Sequence, residues 1–259
     1  MSIDHDADVV STTAANRVLT ITINRPQSRN AINRQVAHAI AAGLDQLENT
    51  AELAVGILTG AGGTFCAGMD LKAFPSEGIP IVGDRGLAGL TRATRTKPLI
   101  AAVEGHAMAG GCELALACDL IVAAETAVFG LPEVRQGLCA SEGGAIRLPK
   151  RIPYHVAMHM LLTGEPIDAV TAYRHGLVSR LVPTGQALTS ATELAQAVIA
   201  NAPLATAATL RIATATVHLD DAESFAYQDP PAHHVATSHD AREGAEAFAD
   251  KRAVHWQGR

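Results

Sequence analysis

Apolar positions change their spacing several times along this chain, and each change marks an element. Val18 to Asn24 alternates β-branched and apolar side chains with polar ones and stops at Arg25-Pro26, where proline ends the ladder; this predicts a strand and its exit. Between Ile32 and Leu47 the apolar residues Ile32, Val36, Ile40, Leu44 and Leu47 recur at steps of three and four, one face of an amphipathic helix. Leu53 to Thr59 predicts a second strand and Pro98 to Val103 a third. Leu120 to Ala123 and Ala127 to Phe129 read as short strands around the polar Glu125-Thr126. Two strands run into glycine. Gly60 to Leu71 is a glycine-rich loop that turns helical, and Ala109-Gly110-Gly111-Cys112-Glu113 is a strand-to-helix turn. This strand–helix–strand grammar occurs twice and suggests a structural repeat. Phe74 to Gly89 has no period and reads as a mobile loop with a short helix after it.

Beyond Gly143-Gly144 the pattern becomes helical: Ala145 to Lys150, Tyr154 to Leu162, Ala169 to His175, Ala187 to Ala200, Pro203 to Val217 and His239 to His255. The expected architecture is therefore α/β, with a core over 1–195 and an Ala-rich helical region over 196–259 suited to docking a partner subunit. Hydrophobic content of 48% against 18% charged indicates a well-buried interior, and 3% aromatic means that it is aliphatic. The net charge of −6, without a basic run, argues against a nucleic-acid surface. No apolar stretch reaches the roughly 18 residues that a membrane span needs. The polar start, Met1 to Asp8, lacks a signal-peptide pattern and is the one place where disorder is expected; the reading is cytoplasmic. Cys66, Cys112, Cys118 and Cys139 lie among small or apolar residues and are expected to be buried, reduced thiols.

Familiar loop chemistries fail on spacing. Neither glycine-rich loop ends in Gly-Lys-Ser/Thr, and Gly60-x-Gly62 meets Phe65 where a dinucleotide fingerprint needs a third glycine. No Gly-x-Ser-x-Gly elbow occurs. His155 and His159 share a helix face without a third ligand, and Cys112 and Cys118 do not match zinc spacing, so no metal site is expected. What remains is two loops offering bare amides, and two glutamates, Glu113 and Glu133, that follow strand ends. A helix starting near Gly110 presents unpaired N–H groups at its positive end. Glu113 in that first turn complements the dipole in any protein; its neighbours change the reading. Two amides aimed at one point stabilise charge on a carbonyl oxygen, and two carboxyls can divide acid and base work. Such a site acts on a carbonyl compound that passes through an enolate.

These residues resemble the enoyl-CoA hydratase/isomerase (crotonase) family from about Val18 to Arg252. The resemblance rests on Asn24-Arg25-Pro26 with Asn30-Ala31, Phe65 to Leu71, Gly110 to Ala115, Phe129 to Glu133, Gly143-Gly144 with Arg147-Leu148, Leu162-Thr163-Gly164, Gly176-Leu177-Val178, and Arg242-Glu243-Gly244 with Lys251-Arg252. It implies a spiral of ββα units with a C-terminal helical trimerisation region, assembling as a homotrimer or dimer of trimers. The implied substrate is an acyl-CoA thioester, its oxygen held by the N–H groups of Met69 and Gly110, with Glu113 and Glu133 as the catalytic pair. CoA enters as part of the substrate, and no separate cofactor is expected. Arg29, Ala31, Ala67, Asp70 and Leu71 match the stretches that line the CoA groove. Lys251 matches a lysine that reaches CoA from a neighbouring subunit, or else is a solvated helix-end lysine.

The leading expectation is a 2-enoyl-CoA hydratase of fatty acid metabolism, a lyase. An isomerase or a carnitinyl-CoA-type dehydratase is the alternative on the same fold. A noncatalytic acyl-CoA-binding or RNA-binding protein is the alternative of another class. One departure from the family pattern stands out: Glu142, in Cys139-Ala140-Ser141-Glu142-Gly143-Gly144, is an extra acid beside the site. It is expected to cap the following helix, the other reading being a contact to water or to a polar acyl group.

Overall fold

A computed structural model describes residues 9–259. The expectations for Met1 to Asp8 lie outside the described residues. The chain divides into two compact units, one running up to Arg95 and resuming over Leu99–Ala195, the other combining Thr96–Pro98 with Gln196–Arg259.

In the first unit, β1 (Val10–Ala15) and β2 (Val18–Ile23) form an antiparallel hairpin. Asn16 and Arg17 turn it at φ 49° and 66°, the left-handed pair that a two-residue hairpin loop requires. β1 is an exposed edge with only Val10 buried, so its sequence carries no apolar alternation to betray it. α1 (Arg34–Asn49) follows, its first turn closed by the Asn33 side chain accepting from the Val36 N–H at 3.0 Å. Its buried face, Val36, Ile40, Leu44 and Leu47, is the one that the spacing predicts.

β3 (Val55–Gly60), α2 (Phe74–Glu77) and β4 (Leu99–Val103) come next. α2 opens the irregular Phe74–Gly89 segment rather than following it. After β4 the chain alternates between two sheets: β5 (His106–Met108), α3 (Gly110–Ala117), β6 (Leu120–Ala124) and β7 (Val128–Gly130). The main sheet has the order β1-β2-β3-β4-β6, parallel from β2 onward. β5 and β7 lie parallel in a second sheet, which single bridges extend: Cys66 pairs with Ala107, and Ile32 with Met69. Each strand of β2, β3, β4 and β6 is therefore followed by a piece of the second layer, which makes the spiral. Residues 67–71 belong to that extended layer, so the helix expected there is absent: backbone pairing with Ile32 overrides local preference.

α4 (Gly144–Arg151), α5 (Tyr154–Thr163), β8 (Ile167–Asp168), α6 (Ala169–Arg174), β9 (Arg180–Val182) and α7 (Ala187–Ile199) complete the run. β8 closes the second sheet antiparallel to β7, and β9 extends the main sheet beyond β6. β3 and β4 are buried almost end to end, as expected of parallel strands covered on both faces.

The second unit holds α8 (Pro203–Thr216), α9 (Asp221–Ala236) and α10 (His239–Asp250). α9 escapes the sequence reading because Pro230 and Pro231 sit inside it and its apolar residues keep no face. A capping box, Asp220 with Glu223, starts it. The last expected helix stops at Asp250, where Lys251 turns left-handed at φ 55°. The buried Asp240 carboxylate then accepts from the N–H groups of Gln257 and Gly258 at 2.7 and 2.9 Å, pinning the C-terminal residues. Among the described residues, no single helix is long and apolar enough to cross a membrane.

Candidate active site

The two glycines that open α3 answer different demands. A β-carbon on Gly111 would stand 2.2 Å from the Cys66 carbonyl oxygen, so this glycine makes room for the chain's own strand. At Gly110 a β-carbon would lie 3.6 Å from the Met69 nitrogen, which places the two main-chain amides side by side. Ala109 holds the turn at φ 49°, an uncommon conformation for a residue with a side chain, and its carbonyl accepts the Glu113 N–H at 3.0 Å. Ile32 bonds to the Gly68 carbonyl and to the Asp70 N–H, both at 2.8 Å, so the Met69 N–H between them faces the other side of the strand. Gly110 begins a helix and has no carbonyl one turn back. Among the described residues neither amide has an acceptor.

Met69, Gly110, Glu113 and Glu133 all line one cavity of about 280 Å³. Glu113, buried on α3, has one oxygen tied down: Oε1 accepts the N–H groups of Glu142 at 2.8 Å and Gly144 at 2.9 Å. Gly143, at φ 112°, bends the chain so that both donors converge, and a β-carbon on Gly144 would sit only 3.1 Å from that oxygen. Burial pushes the Glu113 carboxyl up to about 7; the charges of Glu133 and Glu142 add to the rise and the two N–H donors oppose it. Glu133 rides a 3-10 turn, Pro132–Gln136, entered through proline. Both of its carboxylate oxygens are buried, and neither has a partner among the described residues. Burial raises this carboxyl above its ordinary range.

Of the expected CoA-groove positions, Ala67 and Leu71 line the cavity. Arg29 is exposed and left-handed at φ 52°, and its carbonyl accepts the Ala67 N–H. Asp70 pairs with Arg25 at 3.1 Å, an arginine that also donates to the Ala31 carbonyl at 2.7 Å. Asp70 and Ala31 thus brace the strand behind the cavity. Lys251 is exposed at the end of α10 in the second unit. Among the described residues no group of three or more metal-ligating side chains gathers.

Two expectations are overturned here. Cys139 is exposed and lines the cavity, whereas Cys66, Cys112 and Cys118 are buried, their thiols raised well above the ordinary range by desolvation. The next residue, Ala140, is in the core, but Cys139 itself sits at the exposed end of the stretch that runs from Val134, so its small and apolar neighbours do not bury it. Glu142 does not cap α4, whose N-cap, Gly143, takes no side-chain bond. Its carboxylate turns instead to the irregular segment before β4, accepting from the Leu87 N–H at 2.9 Å, from Thr91 Oγ1 at 2.8 Å and from the Arg92 guanidinium. Leu87, Leu138 and Ile79, which no short-range pattern connects, supply much of the cavity's apolar wall.

A two-layer spiral whose cavity gathers two free amides and two acids defines a crotonase-fold protein. The enoyl-CoA hydratase/isomerase family model matches residues 13–259. An enoyl-CoA hydratase of Mycobacterium tuberculosis is 44% identical over 248 residues, covering 93% of each chain. A carnitinyl-CoA dehydratase of Salmonella typhi is 42% identical, covering 93% of this chain and 95% of that one. Among solved structures, an enoyl-CoA hydratase from M. tuberculosis H37Rv superimposes with a TM-score of 0.94 at 51% identity, over 98% of this chain and all of the other. This chain belongs to the enoyl-CoA hydratase/isomerase family.

Proposed function

We propose that this chain is a 2-enoyl-CoA hydratase, adding water reversibly to the double bond conjugated with a thioester to give a 3-hydroxyacyl-CoA. The observation that supports it is the meeting of the unpaired Met69 and Gly110 amides with Glu113 and Glu133 in one cavity. In this reading the thioester oxygen accepts both N–H groups, and negative charge building on it during attack is stabilised without reorganisation. Glu113, fixed through Oε1, keeps Oε2 to orient the water that attacks the β-carbon. Glu133, desolvated and unpartnered, suits proton delivery to the α-carbon. Ala67 and Leu71, with Arg29, Ala31 and Asp70 behind them, would line the CoA groove, and Lys251 would reach CoA in a homotrimer or dimer of trimers in the cytoplasm.

The lining also bears on the alternative dehydratase. A carnitinyl group carries a quaternary ammonium, which aromatic faces or free carboxylates recognise. Among the described residues the cavity has no aromatic lining, and its third acid, Glu142, is occupied by Arg92. An apolar enoyl chain fits better. Crotonyl-CoA, a 3-enoyl-CoA and carnitinyl-CoA assayed side by side test the reading. Loss of the conjugated-thioester absorbance with crotonyl-CoA is expected to dominate. Binding without turnover would point to a noncatalytic acyl-CoA protein, and faster conversion of either other thioester would replace the hydratase assignment.

A further inference from the structure

Glu142 links two parts of the cavity that no regular element connects. Through its main chain it donates to Glu113 Oε1, and through its buried carboxylate it holds Leu87, Thr91 and Arg92. The segment that it holds is a series of turns with a single bridge, Ile81 to Leu87, seated in the core by Leu87, Ala88 and Leu90 and tied across the cavity to α4 and its approach by the bonds to Glu142 and Arg147. Leu87 also donates to Thr91 Oγ1 at 2.9 Å, and Arg147 on α4 donates to the Thr91 carbonyl. The Leu87 side chain comes within 2.8 Å of where a Gly110 β-carbon would be, so it packs against Gly110 on the cavity wall. Room for the carboxylate comes from Gly86, at φ 74°, where a β-carbon would stand 2.6 Å from Glu142 Oε2.

We propose that Glu142 is a positioning residue that sets the acid and the acyl-pocket wall in register, through its N–H on Glu113 and its carboxylate on the Leu87 segment. The inference rests on the hydratase reading. Because the donor to Glu113 is a main-chain amide, its place depends on what the side chain grips. Releasing the carboxylate therefore misaligns Glu113 and frees Leu87 at once, and near-attack geometry is sensitive to shifts of an ångström. The two consequences separate kinetically: a misaligned acid lowers kcat, while a loosened Leu87 changes which acyl chains fit.

The test is steady-state hydration of crotonyl-CoA and of a ten-carbon 2-enoyl-CoA by wild type, Glu142→Ala, Glu142→Gln and Arg92→Ala. For Glu142→Ala, kcat on crotonyl-CoA is expected to fall by at least about tenfold. The preference for the longer chain, as a ratio of kcat/KM values, is expected to rise at least about threefold. Glu142→Gln, which keeps an acceptor for the Leu87 N–H, should recover most of kcat. Arg92→Ala, at an exposed side chain, should move both quantities the same way by less, and it carries the test with Glu142→Gln if Glu142→Ala does not fold. A wild-type chain that hydrates neither substrate would overturn the hydratase reading and this inference with it. Wild-type turnover with variants of unchanged kcat and chain preference, or slowed equally on both substrates with no recovery in Glu142→Gln, would overturn the role of Glu142 alone.

Discussion

Glu113 and Glu133 stand on opposite kinds of wall. Glu113 belongs to a helix jammed against its own strand, where Gly111 has no space for a side chain and Oε1 is tied to two amides. Glu133 belongs to a 3-10 turn that ends at Gly137, where a β-carbon would meet nothing within 4 Å, and its carboxylate has no partner among the described residues. One acid is fixed by packing and hydrogen bonds, the other only by the path of a short turn. Buried polar groups are ordinarily satisfied, so the orphaned Glu133 is the one held at a standing cost and the clearer sign of chemistry.

The contrast can be broken most severely at Gly111. Gly111→Ala drives a methyl into the Cys66 carbonyl, and backbone cannot yield as a side-chain tip can. The expected cost exceeds about 3 kcal/mol, seen as a collapsed Tm or insoluble protein. A normally folded Gly111→Ala would show that the helix wall is not rigid.

Next in size are the carboxyl-to-amide exchanges. Glu113→Gln and Glu133→Gln should each slow hydration at least about 100-fold while leaving the fold intact. Their stabilities should differ. Gln at 113 keeps an acceptor for both N–H groups, and Gln at 133 replaces a buried carboxyl that has no partner among the described residues, so its Tm should hold or rise. Near-wild-type turnover of Glu133→Gln would remove that residue from the mechanism.

The dependence on pH sharpens the same contrast. Glu113 goes from an ordinary 4.5 to about 7 in the native state, so the folded chain binds the proton more tightly than the unfolded one. Its contribution favours folding below about 4.5, is lost progressively as pH rises through about 7, and amounts to at most ~3 kcal/mol. Urea midpoints measured from pH 5 to 8 should fall more steeply for wild type than for Glu113→Gln. Parallel curves would place the titration elsewhere.

Smaller effects follow on the turn side. Cys139 should be the first thiol to react with a maleimide, and an acyl-CoA in the cavity should slow it several-fold, read by mass spectrometry. Equal labelling of Cys66 would contradict its burial. Gly137→Ala, strained only by its positive φ of 69°, should cost about 1 kcal/mol, far less than the same exchange at Gly111.

Much of the spiral was legible because burial on one face leaves a period. The α1 stripe is such a trace, while β3 and β4, buried on both faces, show instead as unbroken apolar runs. β1 and α9 left none: one is an exposed edge, and the other carries two prolines and no buried residue. At the site, Met69, Gly110, Glu113 and Glu133 were named from motif and resemblance, and the structure brings them to one cavity. The partners of Glu142 were not legible, since Leu87 and Thr91 lie more than fifty positions away and nothing local announces the contact.

By itself the sequence determined where β2, β3, β4 and α1 lie, which loops are rich in glycine and which family the chain resembles, because these follow from side-chain size and spacing along a few residues. The tertiary structure alone decided that the second glycine of α3 serves the Cys66 carbonyl, that Cys139 is open to the cavity, and that Glu142 grips the Leu87 segment. Those outcomes depend on which distant backbone comes within a few ångströms, and local propensity does not encode that distance.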